Sequence, residues 1–214
     1  VMYSHSHVDH YGGVRGLVDE ADVKSGKVKI IAPQGFMEHA ISENVTAGNA
    51  MARRAVYMYG ALLPRNAQGG VDGGLGKTNS IGETTLIVPN VVITHTGQEL
   101  TIDGVKMIYQ LTPDTEAPAE MNVFFPQFKA MWMAENTTNT LHNLYSLRGA
   151  EVRNGLSWAK DIQETIDLYG DKIDVKFNGH HWPMWGNQNI STYLQNQRDL
   201  YKYIHDQSVR MINY

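Results

Sequence analysis

The sequence predicts an α/β domain built around a central sheet. Three observations carry that reading: an opening succession of strand, turn, helix and strand; a crowd of strand signals between residues 85 and 133; and helical periodicity on both sides of that block. With 214 residues and 42% hydrophobic content, the chain can bury a sizeable core, which excludes a disordered or fibrous protein.

Val1-Met2-Tyr3 reads as the last residues of a strand. Residues 13–21 then suit a short helix, and Val28-Lys29-Ile30-Ile31-Ala32-Pro33 a buried strand that proline ends. Helix formers dominate from 34 to about 63 and predict two helices broken near 43–47. Residues 66–80 form a glycine-rich loop, surface or substrate-facing. Its Gly73-Gly74-Leu75-Gly76-Lys77-Thr78 imitates the end of a phosphate loop, but Val71 stands where that pattern needs glycine, and Pro64-Arg65-Asn66 is no strand.

Strands are expected at 85–88, 91–94, 99–102, 105–111, 121–125 and 130–133, with Asp103-Gly104 as a hairpin turn. Helices are expected at 140–147 and 157–169; in the second, Ile162, Ile166 and Tyr169 share a face and Gly170 supplies the stop. A short strand at 175–177 leads into Gly179-His180-His181-Trp182-Pro183. A long helix over 190–211 carries Ile190, Tyr193, Leu194, Gln197, Tyr201 and Ile204 at helical spacing.

A formal net charge of −4 leaves no basic footprint for nucleic acid, so an anionic ligand needs a local cluster of positive charge, which metal ions could supply. The absence of cysteine excludes disulfides and thiolate ligands. No apolar run approaches the roughly 20 residues of a membrane span, and no signal peptide is visible.

Ser4-His5-Ser6-His7-Val8-Asp9-His10 places four metal-binding side chains within six residues. Imidazole and carboxylate are ligands of the zinc class, and a turn after a strand can aim alternate residues at two neighbouring ions. It reads as half of a two-metal site.

His5-x-His7-x-Asp9-His10 after a strand resembles the signature of the metallo-β-lactamase superfamily. The resemblance implies an αββα sandwich, in which the first two histidines bind one ion, and the aspartate and last histidine the other. Members usually add a histidine in a turn after a hairpin, a bridging aspartate and a late histidine. Here Glu116, in Thr112-Pro113-Asp114-Thr115-Glu116-Ala117-Pro118, falls where the third histidine is expected. Glu135, in Met133-Ala134-Glu135-Asn136, falls where the aspartate is expected, and His180 is the late histidine.

These glutamates, with Leu141-His142-Asn143-Leu144-Tyr145-Ser146-Leu147-Arg148-Gly149-Ala150 and His180-His181-Trp182-Pro183, resemble one branch, the linear alkylsulfatases that degrade the detergent dodecyl sulfate. The likeness implies that His5, His7 and Glu116 hold one zinc, that Asp9, His10 and His180 hold another, and that Glu135 bridges. Water acidified by two ions roughly 3.5 to 4 Å apart would be the nucleophile, beside Asp9 and Glu135. Asn143 and Arg148 match the family's sulfate-binding segment, and a guanidinium can grip sulfate through paired hydrogen bonds.

The implied reaction is zinc-dependent hydrolysis of an alkyl sulfate ester to alcohol and inorganic sulfate. The family holds both stereochemical outcomes, so attack at carbon or sulfur stays open. Alternatives are another binuclear-zinc ester hydrolase of the superfamily, or a non-catalytic metal-binding module. His181 could exchange roles with His180; His95 precedes the hairpin and is a weak third-ligand candidate; Glu120 is expected behind the ligands. His39, His142 and His205 lie on expected helices and read as structural or solvated. Met58, Tyr57, Tyr59 and Leu62 could line an alkyl channel, with core packing as the default.

A metal motif only a few residues from Val1 suggests a piece of a longer protein: a partial catalytic domain over 1–214, short of its first strands. Its last helix, about 188–214, is expected to lead toward a dimerisation segment and a sterol-carrier-like domain. The resemblance further implies a homodimer and a periplasmic or secreted bacterial location.

Overall fold

The computed structural model describes every residue except Leu75, Thr78, Asn79 and Ile81, so part of the glycine-rich loop and of its Gly-Lys-Thr ending lies outside the described residues. Strand β1 (Ile31–Pro33) pairs in parallel with β2 (Val91–Ile93), Ala32 opposite Val92. Met2 forms a parallel bridge to Ile31 and the Tyr3 amide donates to the Ile31 carbonyl at 2.8 Å, so the opening residues run beside β1.

A six-stranded sheet follows in sequence order: β3 (Glu99–Ile102), β4 (Val105–Leu111), β5 (Met121–Phe125), β6 (Ala130–Trp132), β7 (Val175–Phe177) and β8 (Met184–Trp185). All neighbours are antiparallel except β6 and β7. Asp103 (φ 51°) and Gly104 (φ 80°) both adopt left-handed backbone, as a two-residue hairpin between right-twisted strands requires.

Strand β5 is buried on both faces. Met121 and Val123 pack with Tyr109, Ile31 and Ile93, whereas Phe124 packs with Met131, Trp158 and Leu194. The helices α4 (Gly155–Tyr169) and α5 (Asn187–Ile212) cover the second face, their rings of Trp158 and Tyr201 stacked 4.3 Å apart. A third cluster joins Tyr3, Tyr11, Val14 and Ile30 to Phe36 of α2 (Phe36–Ile41). The sheet is thus sandwiched between layers, as the αββα expectation requires.

The expected break between two helices is a π-helical turn, Ser42–Thr46, joining α2 to α3 (Gly48–Met58). The expected helix over 13–21 resolves into a 3-10 turn at Val14–Gly16 and a short α1 (Glu20–Lys24), since Gly13 and Gly16 weaken a continuous helix. Residues 85–88 form no strand: the Thr85 amide and hydroxyl both donate to the Gly12 carbonyl, at 2.8 and 3.0 Å. Strand β8 was not expected.

The expected helix over 140–147 is irregular. Its carbonyls are taken by distant partners, with Tyr201 Oη donating to His142 and the Arg153 amide to Leu144. The Asn143 amide side chain donates to the Tyr145 carbonyl at 2.5 Å, a local bond that competes with helix. Among the described residues no helix is long and apolar enough to cross a membrane.

Candidate metal centre

Four loops meet at one end of the sheet. The motif leaves the parallel bridge and tightens into a 3-10 turn, Val8–His10, while the Ser4 carbonyl accepts from the Met121 amide and His5 bridges to Glu120. Glu116 follows β4, Glu135 follows β6 and His180 follows β7, and these three strands run in the same direction.

Buried polar groups fix the loops. Asn136 Nδ2 donates to Asn122 Oδ1 at 2.9 Å and to Thr112 Oγ1 at 3.0 Å, tying the loops after β6 and β4 to β5. Glu120, fully buried behind the ligands, accepts from the Glu135 amide at 3.0 Å, the Ala117 amide at 2.9 Å and Thr115 Oγ1 at 3.0 Å. Burial, and then the Glu116 carboxylate, push the Glu120 carboxyl up to about 8. Ala134 carries a left-handed backbone (φ 43°), and its carbonyl accepts from the Gly179 amide at 2.7 Å, joining the turns that present Glu135 and His180.

The seven residues nominated from sequence come together. His5, His7, Glu116 and Glu135 offer atoms within 4.8 Å of one another, and so do Asp9, His10 and His180. His7 Nδ1 lies 2.6 Å from Glu116 Oε2, and His5 Nε2 lies 3.2 Å from the same oxygen. Glu135 touches both groups: Oε2 is 3.4 Å from His5 Nε2 and 3.5 Å from His10 Nε2, while Oε1 is 3.0 Å from His180 Nε2. Asp9 Oδ2 lies 3.2 Å from both His10 Nε2 and His180 Nε2.

Among the described residues, His5 Nε2, His10 Nε2, Glu116 Oε2 and Glu135 Oε1 are buried at these separations without hydrogen-bond partners. Orphaned buried atoms of this kind are costly unless something satisfies them. Nitrogen and oxygen donors converging from seven side chains fit divalent ions of the zinc class.

The electrostatics point the same way. Burial, and then neighbouring His10, lower the His5 pKa to about 4. Burial opposes the charged form of His7 too, yet Glu116 and Glu43 outweigh it and raise the ring to about 9. His10 and His180 both rise to about 10: burial opposes the charged rings, and the adjacent Asp9 and Glu135 carboxylates outweigh it. Asp9 and Glu135 are likewise held far below the usual carboxylate range against the effect of burial, chiefly by the His10 and His180 rings beside them.

The structure places His180, not His181, against Asp9 and Glu135; the His181 ring instead approaches the Gly74 carbonyl at 3.1 Å. His95 is exposed and outside the cluster. Asn143 and Arg148 line the same small cavity as His7, Asp9, Glu116 and Glu135. A wider cavity of about 510 Å³, lined also by Gly12, Gly73, Gly76 and His180, shares Asp9, Tyr59 and Arg148 with it.

Three residues at the site escape sequence reasoning. Arg153 is buried, with Nε donating to the Glu116 carbonyl at 2.7 Å, Nη2 to Glu116 Oε1, and Nη1 to the Asn143 carbonyl at 3.2 Å. His142, expected on a helix as a structural or solvated residue, is buried in an irregular segment, its Nε2 3.4 Å from Glu116 Oε1. Glu43 lies 3.3 Å from His7 Nε2 and accepts from Arg148 Nη2 at 2.9 Å. The only sequence sign of Glu43 was the break it marks between two helices.

The chain belongs to the metallo-beta-lactamase superfamily, whose family model matches residues 1–180. Over its whole length it is 54% identical to a linear primary-alkylsulfatase of a Pseudomonas species and 53% identical to the alkyl/aryl-sulfatase BDS1 of Saccharomyces cerevisiae, covering 32% and 33% of those proteins. The solved structure of the stereoselective inverting sec-alkylsulfatase Pisa1, also from Pseudomonas, superposes on all of it with a TM-score of 0.97 at 50% identity, over 34% of that chain. The chain therefore spans about a third of the length of these relatives.

Proposed function

We propose that the chain carries the active-site region of a binuclear zinc alkylsulfatase, which hydrolyses alkyl sulfate esters such as dodecyl sulfate to an alcohol and inorganic sulfate. The observation that carries this reading is the reach of one carboxylate, Glu135, to His5, His10 and His180, with Arg148 lining the same cavity. The whole-chain likeness to alkylsulfatases supports the choice of ester.

His5, His7 and Glu116 would hold one ion, Asp9, His10 and His180 the second, and Glu135 both. When bound, the pair supplies Lewis acidity, which acidifies water and offsets the negative charge of a sulfate ester. Arg148 orients that sulfate. Its Nη2 is committed to Glu43, but its buried Nε has no partner among the described residues, which leaves a charged donor for an anion. Asn143 uses one amide hydrogen on the Tyr145 carbonyl and has a second for a sulfate oxygen. Asp9 and Glu135, whose carboxylates face the same centre, would accept hydrogen bonds from the attacking water and orient it. The alkyl chain would extend into the wider cavity that meets the clamp at Tyr59 and Arg148.

The test is metal analysis together with sulfate release from dodecyl sulfate by the full-length protein. Two equivalents of zinc and sulfate release abolished by chelation are expected. A zinc content near zero, or no sulfate release by the zinc-loaded protein, overturns the reading.

A further inference from the structure

Glu43 is one-tenth exposed and occupies the π-helical turn between α2 and α3, far in sequence from every nominated ligand. Turns of this rare type concentrate at functional sites, where one extra residue re-aims a side chain. This one is pinned to the metal motif, since Asn44 Nδ2 donates to the Ser6 carbonyl at 3.3 Å and to the Ala40 carbonyl at 3.0 Å. The adjacent Glu43 carboxylate is thereby held between two functional groups. Oε2 lies 3.3 Å from His7 Nε2, and Oε1 accepts from Arg148 Nη2 at 2.9 Å.

The two contacts do different work. His7 turns Nδ1 toward Glu116 Oε2, so Nε2 is the nitrogen free to carry the proton. A carboxylate accepting from Nε2–H fixes that tautomer, locks the ring and makes Nδ1 a stronger donor to a metal. On the other side, capture of Nη2 fixes the guanidinium plane, so Arg148 Nε, which has no partner among the described residues, is held within the site.

We propose that Glu43 is a positioning residue that sets His7 and Arg148 together, so that one carboxylate couples the metal centre to the sulfate clamp. This rests on the alkylsulfatase reading and adds a residue to it. Glu43 touches neither ion nor ester and acts only through its two partners.

The test uses Glu43→Gln in the full-length protein, a change that keeps the shape and removes the charge. Zinc affinity is measured by chelator competition and sulfate affinity by inhibition with inorganic sulfate, with thermal unfolding as a folding check. Zinc affinity is expected to fall about tenfold or more. The sulfate inhibition constant and KM should rise together by about tenfold, with a smaller change in kcat. In an Arg148→Ala background, Glu43→Gln should leave sulfate affinity unchanged while still weakening zinc. Should the Gln variant not fold, Glu43→Asp, which keeps the charge one methylene shorter, is expected to show both losses in milder form.

The proposal is overturned if a folded variant keeps both affinities within about twofold, if only one of them moves, or if the sulfate loss persists without Arg148. A wild-type protein that binds no zinc or releases no sulfate would remove the alkylsulfatase reading itself. A competent wild type with an indifferent Gln variant removes only the role of Glu43.

Discussion

Arg153 divides the two oxygens of Glu116 between separate tasks. Its Nη2 donates to Oε1 and its Nε to the Glu116 backbone carbonyl, so Oε1 is committed to the protein, while Oε2 faces His5 and His7 without a hydrogen-bond donor. The carboxylate is aimed before any ion reaches it, and such supporting contacts commonly govern metal affinity.

Arg153→Lys should therefore weaken the site although the charge is kept. A lysine ammonium is a point donor that cannot reproduce the fork spanning carbonyl and carboxylate. Zinc affinity is expected to fall about 10- to 100-fold, read by chelator competition on the full-length protein. An unchanged affinity would show that Glu116 keeps its aim without Arg153.

Arg148→Ala separates the clamp from the metals. Hydrogen bonds to charged groups are worth about 1.5–3 kcal/mol, so kcat/KM for dodecyl sulfate should drop by about 10- to 100-fold, mostly through KM. The metal content of the wild type should be retained, because among the described residues the bond from Arg148 toward the proposed ligands runs through Glu43. Wild-type kinetics in this variant would exclude Arg148 as the sulfate anchor.

The candidate cluster was legible in sequence where its chemistry is local or its positions follow strand ends. His5, His7, Asp9 and His10 stand within six residues, and Glu116, Glu135 and His180 each follow a strand that sequence pattern could find. Glu43 and Arg153 were not legible, because each acts through a contact across at least 36 residues, and a lone charged side chain looks the same on a surface. The helix expected over 140–147 failed for a related reason: helical spacing was present, but Tyr201 and Arg153 claim carbonyls that helix formation would need. Hairpin geometry at Asp103-Gly104, by contrast, is written in two adjacent residues.

Gly179 is required by the ring beside it. A Cβ at this position would stand 2.6 Å from His10 Cε1 and 3.1 Å from Nδ1, and His10 Nε2 is already held against Asp9 and Glu135. Gly179→Ala must displace the ring or the loop carrying His180. The expected result is weaker metal binding at the proposed Asp9, His10 and His180 group, with affinity at the His5, His7 and Glu116 group altered less, as shown by metal titration. Retention of both ions at wild-type affinity would show that the loop yields freely.

Asp161 predicts a pH-dependent gain in stability away from the metal centre. Burial, then Glu164 and Asp114, raise its carboxyl to about 7, and among the described residues Oδ2 has no hydrogen-bond partner. A folded-state pKa raised above the unfolded value of 3.8 means that folding favours the protonated acid. Its favourable contribution is therefore complete below pH 3.8 and is lost as pH rises through 7, where the folded protein must ionise a half-buried carboxyl beside two others. Asp161→Asn removes that ionisation without changing the shape. The variant and wild type should have equal stability near pH 4, and the variant should gain on the order of 2 kcal/mol by pH 8, after allowance for partial solvent screening. Urea unfolding of both proteins across this range measures the difference, and a gap that does not widen with pH would show that Asp161 ionises without cost in the folded state.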